Sequence, residues 1–178
     1  MIKRLSFIVI LVSFALALVY SIGYAENKLL LKTIGTKIGQ KAPYIKTVEL
    51  GASKIIESSD FLNKGDIVII NFWASWCPYS VSEMPNLEKI KNEFSNVAVV
   101  AIDRAEPKKD ALDFIKSLNI SYLLLSDSDD AIANIYGVTV MPTTYFLKPN
   151  GMIGYVQNGE VSLSEMRSII NKLSVKDL

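Results

Sequence analysis

The only cysteine of the chain, Cys77, is the residue best suited to covalent chemistry. It lies in the run N-F-W-A-S-W-C-P-Y-S at residues 71–80, where a hydrophobic stretch leads into a short turn. A thiolate is a good nucleophile toward disulfide sulfur. Because Ser80 occupies the position three residues on, no second thiol can complete a dithiol exchange. No internal disulfide can form either.

The composition excludes several other chemistries. The chain has no histidine, which rules out Ser-His-Asp and Cys-His catalysis and imidazole metal ligation. One cysteine cannot supply the thiolates of a zinc or iron-sulfur site. The 19 Lys and Arg residues balance 18 Asp and Glu residues, so no excess of positive charge favours nucleic acid. We therefore expect no metal, no cofactor and no nucleic-acid partner.

The segments around Cys77 predict how its sulfur is presented. Residues 66–74 are nearly all β-branched or aromatic, which predicts a central strand buried on both faces. Apolar residues then recur at helical spacing from position 81 to 94, with Pro85 predicting a kink. Cys77 would thus lie at a helix N-terminus, where unpaired amides and the helix dipole favour a thiolate. Ser80, one turn along, would donate a hydroxyl hydrogen bond to it.

The remaining pattern alternates strand and helix signals and predicts an α/β domain. Residues 44–50 predict an edge strand, 97–102 a second central strand, 111–118 a helix and 122–125 a short strand. The acidic run at 126–130 indicates a helix entry rather than a calcium loop, because the glycine and the distant glutamate of an EF-hand are missing. Residues 143–147 and 152–157 flank a P-N-G turn and predict a hairpin. A last helix begins at Ser162, which with Glu165 makes a capping box.

The N-terminus predicts export. After the positive start M-I-K-R, residues 5–24 are almost entirely apolar, which is long enough for a membrane-spanning helix. Gly23 and Ala25 are the small residues that a signal peptidase requires, so a cleaved signal and a retained anchor both remain open. We assign residues 1–25 to this segment, 26–40 to a polar tether and 41–175 to the domain, which would lie outside the cytoplasmic membrane.

The combined motifs resemble the thioredoxin superfamily. They are the strand before W-C-x-x-S, the proline at position 85, the later run G-V-T-V-M-P-T-T and the closing hairpin and helix. The lead-in I-G-Q-K-A-P and the extra helix and strand between residues 108 and 125 are similar to the TlpA-like branch of extracytoplasmic thiol-disulfide oxidoreductases, some of which serve cytochrome c maturation. The resemblance implies a thioredoxin-like fold: a central mixed sheet flanked by helices, with a helix-strand insertion and an N-terminal hydrophobic helix.

The resemblance also implies roles for residues near the thiol. The family's proline beside the active cysteine is cis, so Pro142 is predicted to be cis, and Met141 to offer its backbone to an extended substrate segment. Trp76 would form the rim of the site, and Pro78 and Tyr79 would complete a substrate-binding face. Two further positions are supporting candidates. Asn71 stands where thioredoxin has a buried, titrating aspartate, and Glu83 is expected to be mainly a solvated carboxylate on the helix face.

Three functions remain open from the sequence. The leading hypothesis is an exported monothiol oxidoreductase that acts on protein thiols or disulfides through a mixed disulfide at Cys77. The resemblance implies apocytochrome c or a membrane thiol reductant as partners, and the missing second cysteine adds a small-molecule thiol as a possible resolving partner. The main alternative is a noncatalytic peptide-binding module around Trp76, Met141 and Pro142. A one-cysteine peroxidase is the third, although the loop before Cys77 lacks the proline and threonine of peroxiredoxins.

Overall fold

Strand β3 forms the centre of the domain. In the computed structural model, which describes residues 13–24, 33–62 and 66–174, this strand spans Ile67–Trp73 and every one of its side chains is buried. It pairs in parallel with β4 (Val97–Arg104) on one side and antiparallel with β6 (Thr143–Leu147) on the other. Burial on both faces explains the continuous run of β-branched and aromatic residues.

Seven strands make one mixed sheet in the order β2-β1-β5-β4-β3-β6-β7. The other strands are β1 (Lys46–Glu49), β2 (Ile55–Glu57), β5 (Leu123–Asp127) and β7 (Ile153–Asn158). Strands β4 and β5 are parallel, and the β6–β7 pair is the predicted hairpin. The predicted edge strand near residues 44–50 is wrong in one respect. β1 pairs with β5 and is itself covered by the three-residue strand β2, which forms the edge.

Helices cover both faces of the sheet. They are α1 (Ser59–Leu62), α2 (Pro78–Glu93), α3 (Lys108–Ile115), α4 (Ala131–Tyr136) and α5 (Leu163–Ser174). Buried side chains of α2, α3 and α5 pack on one face, and those of α1 and α4 on the other. Each fully buried aliphatic or aromatic side chain contributes roughly 1.5–3 kcal/mol. The domain thus has three layers, with the sheet between two layers of helices, and β3 is buried on both faces.

One helix contains the predicted internal proline, and another differs in length from the sequence prediction. Helix α2 runs from Pro78 to Glu93 through Pro85, as one helix. Helix α3 ends at Ile115, so Leu118 lies in the turn that follows, although it still packs against the core. The predicted helix entry at the acidic run is present, because Asp127 accepts hydrogen bonds from the backbone amides of Ile132 and Ala133 (2.9 and 2.8 Å).

The N-terminal region forms a unit of its own, residues 1–35, separate from the unit at 36–178. Residues 13–24 are helical with exposed side chains, whereas the rest of the predicted export segment lies outside the described residues. Within the part that the structure describes, no helix has the length and hydropathy needed to cross a membrane. At the end of the predicted tether, Gly39 and Gln40 hydrogen-bond to Ile153 of β7 (both 2.8 Å).

Candidate active site

Cys77 is the N-cap residue of α2. Its backbone is extended (φ −97°, ψ 106°), its amide donates to the Ala74 carbonyl (3.1 Å), and its carbonyl accepts from the Val81 amide (3.1 Å). Pro78 follows at the first helical position, where its missing N–H costs nothing. No side chain caps this helix, so the amides of its first turn have no side-chain partner at the cap. The sulfur therefore occupies the end of the helix that favours negative charge.

The thiol contacts the loop before β6. The Met141–Pro142 peptide bond is cis, as predicted, and Cys77 Sγ donates to the Met141 carbonyl across 3.7 Å. Cys77 is buried, with 7% of the residue exposed to solvent. The structure thus brings together the cysteine and the two loop residues that the sequence motifs selected.

Ser80 lies in the first turn of α2 but does not pair with the sulfur in this state. Its side chain is almost fully buried, and its Oγ atom is among the buried polar atoms without a hydrogen-bond partner. The predicted hydrogen bond from Ser80 to Cys77 is therefore absent, and the only bond of the thiol among the described residues is the one that it donates to Met141. An unpartnered buried hydroxyl carries a free-energy cost that a suitable acceptor nearby would remove.

An exposed apolar surface surrounds the thiol. Trp76 is 62% exposed and Tyr79 is 65% exposed, and Pro78 between them is also exposed. We call these three residues the aromatic rim. Val140, on the loop that precedes Met141, is exposed as well. Large apolar side chains held in water around a crevice are typical of a binding surface.

Glu83 corrects the sequence prediction of a solvated carboxylate. Its side chain is fully buried behind the first turns of α2. Oε1 accepts from Thr144 Oγ1 (3.0 Å) and Asn71 Nδ2 (3.2 Å), and Oε2 accepts from the Val161 amide (3.2 Å). Burial raises the pKa of Glu83 to about 7, against the lowering effect of the bonds from Thr144 and Val161. Glu83 is therefore a buried acid that titrates near neutral pH.

Asn71 belongs to the same polar cluster. It is fully buried on β3 opposite Thr144 of β6, and its Nδ2 donates to Thr144 Oγ1 (2.9 Å) as well as to Glu83. Because an amide does not titrate, Glu83 is the member of this cluster that can exchange a proton.

A second carboxylate was missed by the sequence reasoning. Glu106, six percent exposed, accepts from the Ser75 amide (2.7 Å) and from Ser75 Oγ (2.5 Å), two residues before Cys77. It follows the carboxyl end of β4, which adjoins the carboxyl end of β3. A carboxylate at that edge of a parallel pair was the available sequence signal, because such edges meet where α/β sheets build their sites.

Arg104, at the end of β4, holds the segment that leads to Met141. Its guanidinium makes a bidentate pair with Asp130, and NH1 donates to the Val138 carbonyl (3.1 Å). Val138 lies three residues before Met141.

As for metals, no group of three or more carboxylate or thiol ligands in residues 13–24, 33–62 and 66–174 could hold one.

Comparison with known proteins gives a consistent set of relatives. The sequence pattern of the AhpC/TSA family matches residues 38–156. The thiol-disulfide oxidoreductase ResA of Oceanobacillus iheyensis is 29% identical over 160 residues, which cover 88% of this chain and 74% of the relative.

Solved structures agree on the fold. A thiol:disulfide interchange protein DsbE from Chlorobium tepidum superposes with a TM-score of 0.71 at 22% identity, covering 78% of this chain and 99% of that one. A secreted thiol-disulfide isomerase from Corynebacterium glutamicum superposes with a TM-score of 0.68 at 26% identity, covering 75% of this chain and 84% of that one. The predicted thioredoxin-like fold is confirmed.

Proposed function

The chain belongs to the AhpC/TSA family, as a relative of the ResA- and TlpA-like thiol-disulfide oxidoreductases, and we propose that it is an exported monothiol oxidoreductase acting through a mixed disulfide at Cys77. The observation that carries the proposal is the position of this sulfur. It lies at an uncapped helix N-terminus against the Met141 carbonyl, with Ser80 in place of a second thiol.

The first step is attack on a substrate disulfide. The Cys77 thiolate forms a bond to one substrate sulfur, the substrate S–S bond breaks, and the second substrate sulfur leaves as a thiolate that takes up a proton. The uncapped amides of the first turn of α2 stabilise the attacking anion. Ser80, buried and without a partner, can turn its hydroxyl toward the sulfur once the thiol proton is lost.

The second step requires an external thiol, because serine cannot attack the mixed disulfide. If a second substrate thiol attacks the substrate sulfur, a new substrate disulfide forms and Cys77 is released, with no net oxidation. If two small thiols attack in turn, the substrate gains two electrons and the small thiols become a disulfide. Either way Cys77 returns to its starting state.

The substrate side is a protein segment rather than a small molecule. The aromatic rim (Trp76, Pro78 and Tyr79) provides an apolar surface beside the sulfur, and the Met141 backbone can pair with an extended peptide. Apocytochrome c and a membrane thiol reductant are the partners that the TlpA-like resemblance implies. The secreted relative from C. glutamicum and the apolar residues 5–24 support a location outside the cytoplasmic membrane.

Capture of partners in the source cell tests the proposal. The wild-type protein should yield disulfide-linked partners that dithiothreitol releases, and Cys77→Ala should yield none. The reduced partners, identified by mass spectrometry, would show the substrate and the direction of electron flow. Wild type without any adduct would contradict the proposal.

A second candidate function is peptide binding without redox chemistry. The contrast in exposure favours it, because Trp76 and Tyr79 are exposed and can bind an apolar segment without any reaction, whereas Cys77 is buried. Partners that co-purify equally with wild type and with Cys77→Ala, and that stay bound under reducing conditions, would favour the binding module over the oxidoreductase.

A further inference from the structure

The turn that carries Cys77 is held from outside by one carboxylate. Residues 74–77 connect β3 to α2, and within them the Ser75 amide and hydroxyl both donate to Glu106. A carboxylate that accepts from two donors of the same residue fixes both the backbone and the side chain of that residue. The turn is therefore tied to the end of β4, 31 residues along the chain.

The backbone beside Glu106 adopts an unfavourable conformation to make this contact. Ala105 has φ 55°, in the left-handed region, which costs an L-residue other than glycine roughly 1–2 kcal/mol. Its amide donates to the Asp127 carbonyl (3.3 Å), which holds the reversal in place. Strained backbone persists where the surroundings over-determine it, and such positions cluster at functional sites.

Asp103 is a second carboxyl group next to Glu106. It is fully buried beside Trp73 in the β3–β4 ladder, and neither of its carboxyl oxygens accepts a hydrogen bond from a protein donor in the part of the chain that the structure describes. Burial first, then a hydrogen bond with the Glu106 carboxyl group and the charges of Glu106 and Asp127, together raise the pKa of Asp103 to about 9. A neutral Asp103 removes the like-charge repulsion that would otherwise push Glu106 away from the turn.

We propose that Glu106 is a positioning residue for the thiol reaction, holding Cys77 over the N-terminus of α2 through its two bonds to Ser75. The inference rests on the proposed function of Cys77 and adds a residue that acts on it through the turn. Without the two hydrogen bonds between Ser75 and Glu106, the sulfur would sample positions away from the helix axis, where the amides stabilise its anion less.

The test is the rate of Cys77 alkylation by iodoacetamide between pH 5 and 10, which gives a plateau rate and a midpoint pH. Glu106→Ala should raise the midpoint by about one pH unit and slow the reaction at pH 6 about tenfold, as expected for lost hydrogen bonds to a charged group. Glu106→Gln keeps an oxygen that accepts from the Ser75 amide, so it should restore most of the rate. Ser75→Ala, which keeps the backbone bond, should slow the reaction roughly two- to threefold.

Glu165→Ala is the matched control. Glu165 accepts from the amide and the hydroxyl of Ser162 in the same way, at the start of α5. Its removal should lower the unfolding free energy without changing the alkylation profile. Urea unfolding of every variant separates a loss of stability from a change at the thiol.

Two results would overturn the inference. The Glu106→Ala profile could superimpose on that of wild type, which would leave Glu106 a purely structural role. Alternatively, both Glu106 variants could react faster than wild type, which would mean that charge repulsion outweighs positioning. Failure of the proposed function is visible separately, as a wild-type thiol no more reactive than that of an unstructured cysteine peptide.

Discussion

Helices α2 and α5 begin in opposite ways. At α5, the Ser162 hydroxyl accepts from the Glu165 amide, and Glu165 in turn accepts from the Ser162 amide and hydroxyl (2.9 and 2.6 Å). At α2, Cys77 occupies the same N-cap position and no side chain closes the helix. The first turn of α5 thus has side-chain hydrogen-bond partners from its own sequence, whereas the N-terminus of α2, with its partial positive charge, has only the Cys77 sulfur at its cap position.

The difference has a cost in the stability of α2. A serine or aspartate N-cap stabilises a helix by about 1 kcal/mol relative to alanine, and a cysteine does not supply that hydroxyl or carboxylate acceptor. The domain offsets this loss by holding α2 from elsewhere, through its buried apolar face and through Glu83, which binds β6 and the segment before α5. Long-range contacts thus replace the local cap.

The largest expected effect comes from changing Ser80, which would turn the open helix start into a dithiol site. In Ser80→Cys, the lifetime of a Cys77 mixed disulfide with a model peptide should fall at least about a thousandfold relative to wild type in millimolar thiol, because a neighbouring thiol acts at a far higher effective concentration. The remaining mixed disulfide is measured over time by quenching samples with acid and analysing them by mass spectrometry. Ser80→Ala is the control, and its adduct should last as long as that of wild type. Equal lifetimes in Ser80→Cys and wild type would contradict the assignment of Ser80 to the resolving position.

The second effect contrasts the glutamates of the two helix starts. The bonds from Ser162 lower the pKa of exposed Glu165, whereas burial raises that of Glu83 to about 7. Because the folded state holds the Glu83 proton more tightly, the stabilisation is complete below pH 4.5 and is lost as the pH rises through 7. Relative to Glu83→Gln, the unfolding free energy of wild type should fall by about 3 kcal/mol between pH 4.5 and 7.5. Urea unfolding at several pH values measures it, and parallel curves for the two proteins would show the prediction to be wrong.

A third helix start gives an intermediate case. Asp127 is buried and accepts from two backbone amides at the start of α4, without belonging to the N-cap position itself. Asp127→Ala should lower the unfolding free energy by about 2 kcal/mol, at the upper end for a cap, because it leaves two buried amides unpaired. A loss below about 0.5 kcal/mol in chemical denaturation would mean that water replaces the carboxylate.

The smallest effect is expected at the satisfied start. Ser162→Ala should cost about 1 kcal/mol of unfolding free energy, because its exposed cap is partly replaced by solvent. The rate of mixed-disulfide formation at Cys77 should stay unchanged. A slower rate would show that the two helix starts are coupled, through Val161 and Glu83, and that the comparison between them does not hold.

The sequence predicts those parts of the site whose partners are close along the chain. The capping box at Ser162 was predictable because its two members are three residues apart. The position of Cys77 followed from a buried strand and a helical pattern that adjoin it directly. The thioredoxin-like resemblance supplied the cis bond at Pro142, which local patterns alone would leave as a strand-entry turn.

The parts that the sequence could not predict depend on distant partners. Glu83 looked solvated because the helix pattern says nothing about Thr144 and Val161, which lie 61 and 78 residues along the chain and close over it. Glu106 could be placed at the carboxyl end of β4, but nothing in its neighbouring sequence identifies its partner Ser75, which follows another strand. Strand β2 is only three residues long, too short for alternation to be detected.

The hydrogen bonds at residues 39–42 determine how the domain would respond to a mechanical pull from its N-terminal side. Gly39, Gln40 and Ala42 bond to the chain at residues 151 and 153, in the β6–β7 hairpin, before the chain continues to β1. Tension at residue 36 would reach these few bonds before it reached β1, because they precede that strand along the chain. Strand β7 would share the load from the beginning because it holds the partners of these bonds, whereas residues 43–45 and β1 would be pulled directly only after the bonds had opened.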